Sequence, residues 1–408
     1  MALLPVEDAL ARLLSASRPV EAQEWLPLGA AQGRVLSADL AARRTHPGFD
    51  NAAMDGYAVR HQDIAAEGAE LAVIGQSAAG HAYAGTIGPG QAVRIFTGAP
   101  VPAGADTVLM QEDAEPLDGA RIRTTFVPEK GRHIRPSGQD FHEGDVVLAA
   151  GDALDAGRLT VAAAMNHALL PVFCRPRVAI LATGDELRTP GSLPGADQII
   201  ASNSYGVAAI AREAGADVID LGICGDDENA IADAAQRARG AGADVLVTLG
   251  GASVGDHDLV QAALTGIGMT LDFWRIAMRP GKPLMVGVLG GMQVLGLPGN
   301  PVSSLVCALL FLEPLVRRLG HLPPRDRMRA SILAAPLAAN DRRQDYVRAR
   351  HVRLADGSRA VLPFGRQDSS MMQVFAKADC LIVRKPEAPA AEAGDTVAVL
   401  TLRESGEG

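Results

Sequence analysis

Val245-Leu246-Val247-Thr248-Leu249-Gly250-Gly251-Ala252-Ser253-Val254-Gly255-Asp256-His257-Asp258 is a short apolar run that stops at a glycine pair and a polar loop. The run reads as a buried strand, and Asp256 as the start of a helix. The same unit recurs around it. The run 178–182 leads into Thr183-Gly184-Asp185-Glu186, 218–223 into Gly225-Asp226-Asp227, and 293–297 into Pro298-Gly299-Asn300-Pro301-Val302-Ser303. A further strand is expected at 286–289. Helices are predicted at 204–214, capped by Ser202 or Asn203 and ended by Gly215, and from Asp226 or Asp227 to Ala238. Another begins at Asn300, with Pro301 in its first turn. Strands alternating with helices over 173–322 predict a central, doubly wound, mostly parallel α/β domain.

The flanks read differently. Val6, Leu10, Leu13 and Leu14 recur at helical spacing, and 159–170 returns to a helix-like pattern. Residues 1–46 with 141–172 are therefore expected to form a helical linking domain, closed by Pro171 and Pro176. Between them, 47–140 carries short apolar runs at 71–74, 92–96, 107–110 and 121–126, broken by Gly, Pro and Asp. This predicts a β-rich inserted domain. In the tail, 328–405, strands at 347–354 and 359–362 flank Asp356-Gly357, a strong hairpin signal, with further strands at 381–383 and 397–402. A small C-terminal β-barrel is expected.

Composition narrows the function classes. The 408 residues are 48% hydrophobic but only 4% aromatic, so alanine and valine must fill much of the interior. A net charge of −9 argues against a nucleic-acid binder. Cys174, Cys224, Cys307 and Cys380 show no CxxC spacing and read as buried free thiols rather than a zinc site. The N-terminus lacks the basic start and unbroken apolar run of a secretory signal, and 302–316 is too short and polar to span a bilayer. The expectation is a cytoplasmic protein with no membrane partner.

The strand-end loops hold the chemistry. In open α/β sheets, ligands bind outside the carboxyl ends of the strands, so these four loops should converge. Gly250, Gly251 and Gly255 let backbone N–H groups approach an anion. The helix begun by Pro301 offers its dipole and the Ser303 hydroxyl to a phosphate-like group. Glu186, Asp226 and Asp258 stand beside these anion sites. Carboxylates repel phosphates unless a hard cation bridges them, so the inferred ligand is a phosphorylated, nucleotide-bearing molecule with Mg²⁺. Each loop alone is more often a turn or a cap; Asp226-Asp227 is an ordinary helix start. Arg275, Arg279 and Lys282, at spacings of four and three, suit oxyanions. Ile276 stands where a Walker loop needs its first glycine. Upstream, the loops around Asp55-Gly56, Thr97-Gly98 and Gly138-Gln139-Asp140 read as structural turns when taken singly.

Taken together, Asp50-Asn51-Ala52-Ala53-Met54-Asp55-Gly56-Tyr57-Ala58, Thr97-Gly98-Ala99-Pro100-Val101-Pro102, Thr183-Gly184-Asp185-Glu186-Leu187, Gly250-Gly251 with Ser253-Val254-Gly255, Arg279-Pro280-Gly281-Lys282-Pro283 and Leu297-Pro298-Gly299-Asn300-Pro301-Val302-Ser303 resemble the molybdopterin molybdenumtransferase family. This is MoeA in bacteria and the E domain of gephyrin in animals. The resemblance implies an elongated, four-domain homodimer whose α/β domain is shared with molybdopterin adenylyltransferases. It implies adenylated molybdopterin and molybdate as substrates, and molybdenum cofactor and AMP as products. A molybdopterin adenylyltransferase is the implied partner enzyme. Asp55, Thr97, Asp140, Glu186, Asp226 and Asp258 match the family's functional positions, the last three as metal ligands. Gly250, Gly251, Ser253, Arg275, Arg279, Lys282, Asn300 and Ser303 match substrate-binding positions, with Arg348 and Ser369 completing the site from the tail. Arg275 and Arg279 stand where relatives often carry lysine. Two other readings stay open: the sister adenylyltransferase activity, and a non-enzymatic scaffold.

Overall fold

The computed structural model describes residues 3–250, 259–273 and 275–403. Its contacts divide the chain into two units: the described residues of Met1–Glu24 with Phe173–Gly408, and Trp25–Val172.

The first unit is built on a six-stranded sheet in the order Asp217–Cys224, Arg177–Thr183, Val245–Leu249, Met292–Leu297, Met285–Leu289, Thr270–Phe273. The first four strands run parallel, and the last two join through antiparallel ladders. Period-2 geometry divides each strand between two cores. Val178 and Ile180 enter one with Val245 and Val247; Ala179 and Leu181 enter the other with Leu246. A sheet covered on both faces needs apolar inner strands, and those ending in Thr183, Leu249 and Leu297 read that way in the sequence, whereas the edge strand Asp217–Cys224 carries Asp220 and has no buried residue. Helix Glu228–Gly240 buries Ile231, Ala234, Ala235 and Ala238 on one stripe, so alanine does fill the interior there.

Helix starts show where local chemistry agrees with the expectation and where it does not. Asp227, rather than Asp226, caps its helix by accepting from the Ala230 N–H at 2.8 Å. Asp227→Ala should therefore cost about 1 kcal/mol in a urea unfolding titration; an unchanged midpoint would show the cap to be idle. Asn300 occupies the cap position before Pro301–Cys307, yet its side chain makes no cap bond. That helix runs on through a π-helical turn, Ala308–Leu312, into Glu313–Leu319, where Pro314 has no N–H to donate. The sequence reading grouped the first helix, Val6–Ala16, with 141–172; here Val6, Ala9 and Leu13 are buried in the α/β core.

The C-terminal strands Gln344–Arg353, Arg359–Pro363, Met328–Leu333, Thr396–Thr401 and Cys380–Arg384 pair in a ring, closing a five-stranded barrel as expected. Met278–Arg279 adds to it alongside Gln344 and Asp345.

The Trp25–Val172 unit holds a second six-stranded sheet, ordered Thr107–Met110, Gly56–Val59, Gln91–Ile95, Glu70–Ser77, Arg121–Thr124, Ala114–Leu117. The four expected runs all lie in it. Asp55-Gly56 was expected as a turn; Asp55 lies in a bend, but Gly56 opens Gly56–Val59, an interior strand paired on both sides. The helix expected at 159–170 is Ala156–Ala164, capped by Asp155; Asn166 turns left-handed, and Leu169–Phe173 is a strand. The thiols of Cys307 and Cys380 are buried as expected, whereas Cys174 and Cys224 are half-buried. Among the described residues, no helix is long and apolar enough to cross a membrane.

Candidate active site

The chain leaves Arg177–Thr183, forms Asp217–Cys224 on one side of it, and then returns to lay Val245–Leu249 on the other. That reversal opens a crevice at the strand ends, the general ligand position of such sheets. A cleft of about 900 Å³ lies there, lined by Glu186, Asp226, Gly250 and Asn300 from four different strand-end loops. Ser370 and Met372 line it from the barrel segment. The expected convergence is therefore found for Glu186, Asp226, Gly250 and Asn300. Asp258, Gly251 and Ser253 lie outside the described residues.

Short polar links lock the loops to one another. The Asp185 carboxylate accepts from the Asp226 N–H at 3.1 Å, joining the first two loops. Asn203 donates to the Gly299 carbonyl at 2.7 Å. Asn300 donates to Ser369 Oγ at 3.2 Å, and Ser369's carbonyl accepts from the Val302 N–H, also at 3.2 Å. Ser369 is thus placed beside the cleft, and one of the helix's first N–H donors is already spent on it. Gly250 has φ +99°, and a Cβ there would lie 2.5 Å from the Thr183 carbonyl oxygen. Only glycine lets the two strand ends meet this closely. Asp185 and Asn203 were not singled out from the sequence as site residues. Asp185 was read as part of a turn and Asn203 as a helix cap.

The acidic rim is dense. Burial first, then Asp227, and further out Asp226 and Asp185, hold the Cys224 thiol above its ordinary pKa, against the opposing charge of Arg237. Glu186 and Asp226 are both exposed to solvent. Among the described residues, no trio of His, Cys, Asp or Glu stands close enough to hold a metal by itself.

The basic residues are distributed differently from the expectation. Arg279 was expected to face an oxyanion; its guanidinium instead pairs with Asp345 and, at 3.4 Å, with Asp341, and reaches Asn340 at 3.3 Å. The strand pairing of Met278–Arg279 with Gln344 and Asp345 puts it there. Asp341 is held down at about 2 by the Arg343 side chain and N–H first, and by Arg279 last. Lys282 is exposed and makes no ion pair among the described residues, and Arg275 is also exposed. Ser303 is 4% exposed, inside the helix rather than on the cleft wall. Arg348 is 1% exposed. One of its Nη donates to the Asp368 carbonyl at 3.3 Å, while its Nε has no partner, a buried donor next to the Ser369 loop. Burial chiefly pulls its pKa down, against the pull of Asp345 and Asp368.

The remaining predicted residues lie in the Trp25–Val172 unit. Their three loops knit into one cluster: Ala52 bonds Ala99 at 3.0 Å, Val101 bonds the Asp50 carbonyl at 2.9 Å, and the Asp50 carboxylate accepts from the Ser137 N–H at 2.8 Å. Asp55 accepts from the Thr97 N–H at 2.7 Å and its hydroxyl at 2.8 Å. Asp140, in the same cluster of loops, is exposed, its N–H bonded to the His46 carbonyl at 3.1 Å. The two Thr97 bonds, the backbone one foremost, depress the Asp55 pKa, helped by Arg94. A depressed carboxyl lends stability that is complete above its ordinary pKa and is lost as pH falls through the depressed value. Thr97→Val removes one of the two bonds, so the Asp55 carboxyl titration followed by NMR should move up toward the usual aspartate range. An unmoved titration would show that the hydroxyl bond does not hold the charge.

Comparison with known proteins identifies the family. The MoeA N-terminal region (domain I and II) matches residues 4–166, the probable molybdopterin binding domain 179–318, and the MoeA C-terminal region (domain IV) 330–402. A molybdopterin molybdenumtransferase of Haemophilus influenzae is 34% identical over 97% of this chain and 98% of its own length. One from Nostoc is 39% identical over 73% of this chain and 70% of its own length. The crystal structure of a MoeA molybdopterin biosynthesis protein from Pyrococcus horikoshii superposes with a TM-score of 0.82 at 27% identity, covering 99% of this chain and all of that one. With all three family regions in order and relatives aligned over nearly the whole length, the chain belongs to the MoeA family of molybdopterin molybdenumtransferases.

Proposed function

We propose that this enzyme inserts molybdenum from molybdate into adenylated molybdopterin, yielding the molybdenum cofactor and AMP. The observation that carries the adenylated substrate is the meeting of exposed carboxylates Glu186 and Asp226 with the backbone of Gly250 and Asn300 in one cleft of about 900 Å³. A cleft of that size takes a nucleotide-sized ligand. Its acidic wall calls for a cation between protein and phosphate. Two exposed carboxylates on a common cleft fit Mg²⁺, which takes one or two carboxylates and fills its remaining positions with water and phosphate oxygens. Glu186 and Asp226 would hold it, with Asp258 a third candidate. When bound, Mg²⁺ stabilises charge on the phosphate that leaves as AMP.

The chain's own residues supply the rest. Gly250 and the Asn203–Gly299 link fix the positions of the loops around the substrate. The buried Arg348, with its unpaired Nε, supplies positive charge behind the Ser369 loop, where molybdate, a tetrahedral dianion, would sit. Lys282, exposed and without an ion pair among the described residues, is a candidate for the same role, while Arg279 acts through Asp345 as a strut of the barrel. The enzyme works as a cytoplasmic homodimer, with Asp55, Thr97 and Asp140 completing the cleft of the partner subunit, and receives its substrate from a molybdopterin adenylyltransferase. The test is incubation with adenylated molybdopterin, molybdate and Mg²⁺, following AMP and active cofactor. Pyrophosphate released from ATP and unmodified molybdopterin, with no AMP from the adenylated compound, would favour the adenylyltransferase reading instead. Mixing Asp55→Asn with Glu186→Gln chains should restore activity if two subunits share a site.

A further inference from the structure

On the unit that carries the barrel, away from the cleft, lies a second concavity of about 1000 Å³ between Glu213 at the end of Asn203–Glu213, the segment entering Met328–Leu333, and Thr396–Thr401. Five arginines line it: Arg325, Arg327, Arg329, Arg359 and Arg403. Glu213 and Asp326 line it with them and Glu313 lies beneath, leaving an excess of two positive charges on a chain whose net charge is −9. A third of its lining is arginine, so the arginine richness of the chain as a whole does not account for it.

The pairing inside this pocket is unbalanced. Beneath the basic wall two guanidiniums share Glu313, 3% exposed: Arg327 at 2.9 Å and Arg325 at 3.6 Å. Arg327 is committed to holding Glu313 and the Thr401 carbonyl, at 3.1 Å. Burial, with the like charge of Arg325 next, pulls the neighbouring Arg317 below its ordinary pKa, against the pull of Glu313. Arg329 answers Asp326 at 3.1 Å. The Arg359 side chain is exposed, and its guanidinium makes no hydrogen bond or ion pair among the described residues. Ser331 and Thr396 add hydroxyls to the lining, and His351 an imidazole. Guanidinium forks match phosphate oxygens in pairs, and a partly enclosed positive excess is relieved by a multiply charged anion.

We propose that this pocket is a second ligand site, separate from the catalytic cleft, that binds a small phosphorylated molecule carrying two or more negative charges. None of its residues belongs to the machinery assigned above, so the proposal stands whether or not that assignment holds. The probe is inorganic pyrophosphate, titrated calorimetrically into the full-length enzyme. Saturable binding is expected, weakened at least about tenfold in the Arg325→Ala/Arg359→Ala variant, with AMP release from the catalytic cleft unchanged. Hydrogen exchange should slow in Met328–Leu333 and Thr396–Thr401 on adding pyrophosphate. Arg359→Glu, a single change at an exposed side chain, serves if the double variant does not fold, and should weaken binding at least as much. No saturable binding, or wild-type affinity in these variants, would overturn the site. Equal affinity for citrate would overturn its assignment to phosphate chemistry.

Discussion

Glu186→Gln should lower AMP release from adenylated molybdopterin by roughly 10²–10³-fold, with the melting temperature unchanged. The size follows from what is removed. The substitution keeps the side chain's volume and deletes only its charge, so the loss measures electrostatic stabilisation of the reacting phosphate, for which one well-placed group is typically worth that factor. Stability should hold because Glu186 is exposed, and exposed substitutions of this kind usually fall within about 0.5 kcal/mol. Asp226→Asn should act alike, since both residues line the same cleft wall. If both carboxylates serve one Mg²⁺, the double variant should lose little more than either single one, because groups that act as a unit are not additive. Raising the Mg²⁺ concentration should recover part of the lost rate in either single variant and none in the double. Wild-type turnover in both single variants would remove these carboxylates from the chemistry.

The α/β domain was legible because its signal is local and repeated. A strand buried on both faces must be apolar throughout, which marks the runs ending in Thr183, Leu249 and Leu297; the run ending in Cys224, at the sheet edge with no buried residue, is marked instead by its place between two helices. The cleft followed from the same rule, since the ligand position depends on topology rather than on any single side chain. What stayed hidden depends on contacts across long sequence separations. Nothing near Arg279 says that Asp341 and Asp345, more than sixty residues on, will take up its guanidinium; the register of Met278–Arg279 beside Gln344 and Asp345 decides it. Asn300 has the right type and place for a helix cap, but the Ser369 hydroxyl, 69 positions away, takes its amide. The resemblance to a known family put Ser369 in the site where periodicity alone could not. Asp55-Gly56 failed for another reason. An aspartate–glycine pair is the commonest kind of turn signal, and it competes with a strand reading that only the neighbouring strands can supply.

That misreading leads to the second large effect. Gly56→Ala should destabilise the protein by about 3 kcal/mol or more. Were Gly56 in a turn, alanine would cost only what a left-handed backbone demands; Gly56 is absent from the positive-φ glycines, so the cost here is steric. A Cβ would lie 1.9 Å from the Leu109 carbonyl oxygen and 2.9 Å from its carbonyl carbon, far inside contact distance with backbone that cannot rotate aside. Nor can the strand slide away. Gly56 is in register with Ile95 on one side and Met110 on the other, and Ala58, Val59, Leu109 and Ile95 are fully buried around it. Relief requires parting Gly56–Val59 from Thr107–Met110, which breaks ladder hydrogen bonds and opens the core they cover. Since a unit of this size loses about 2–4 °C per kcal/mol, the melting temperature should fall by roughly 6–12 °C. Asp55, one residue away, would also lose its fixed distance to Thr97, so its carboxyl titration should shift together with the melt. A variant that melts within about 2 °C of the wild type would show that the strands do not approach as closely as drawn here.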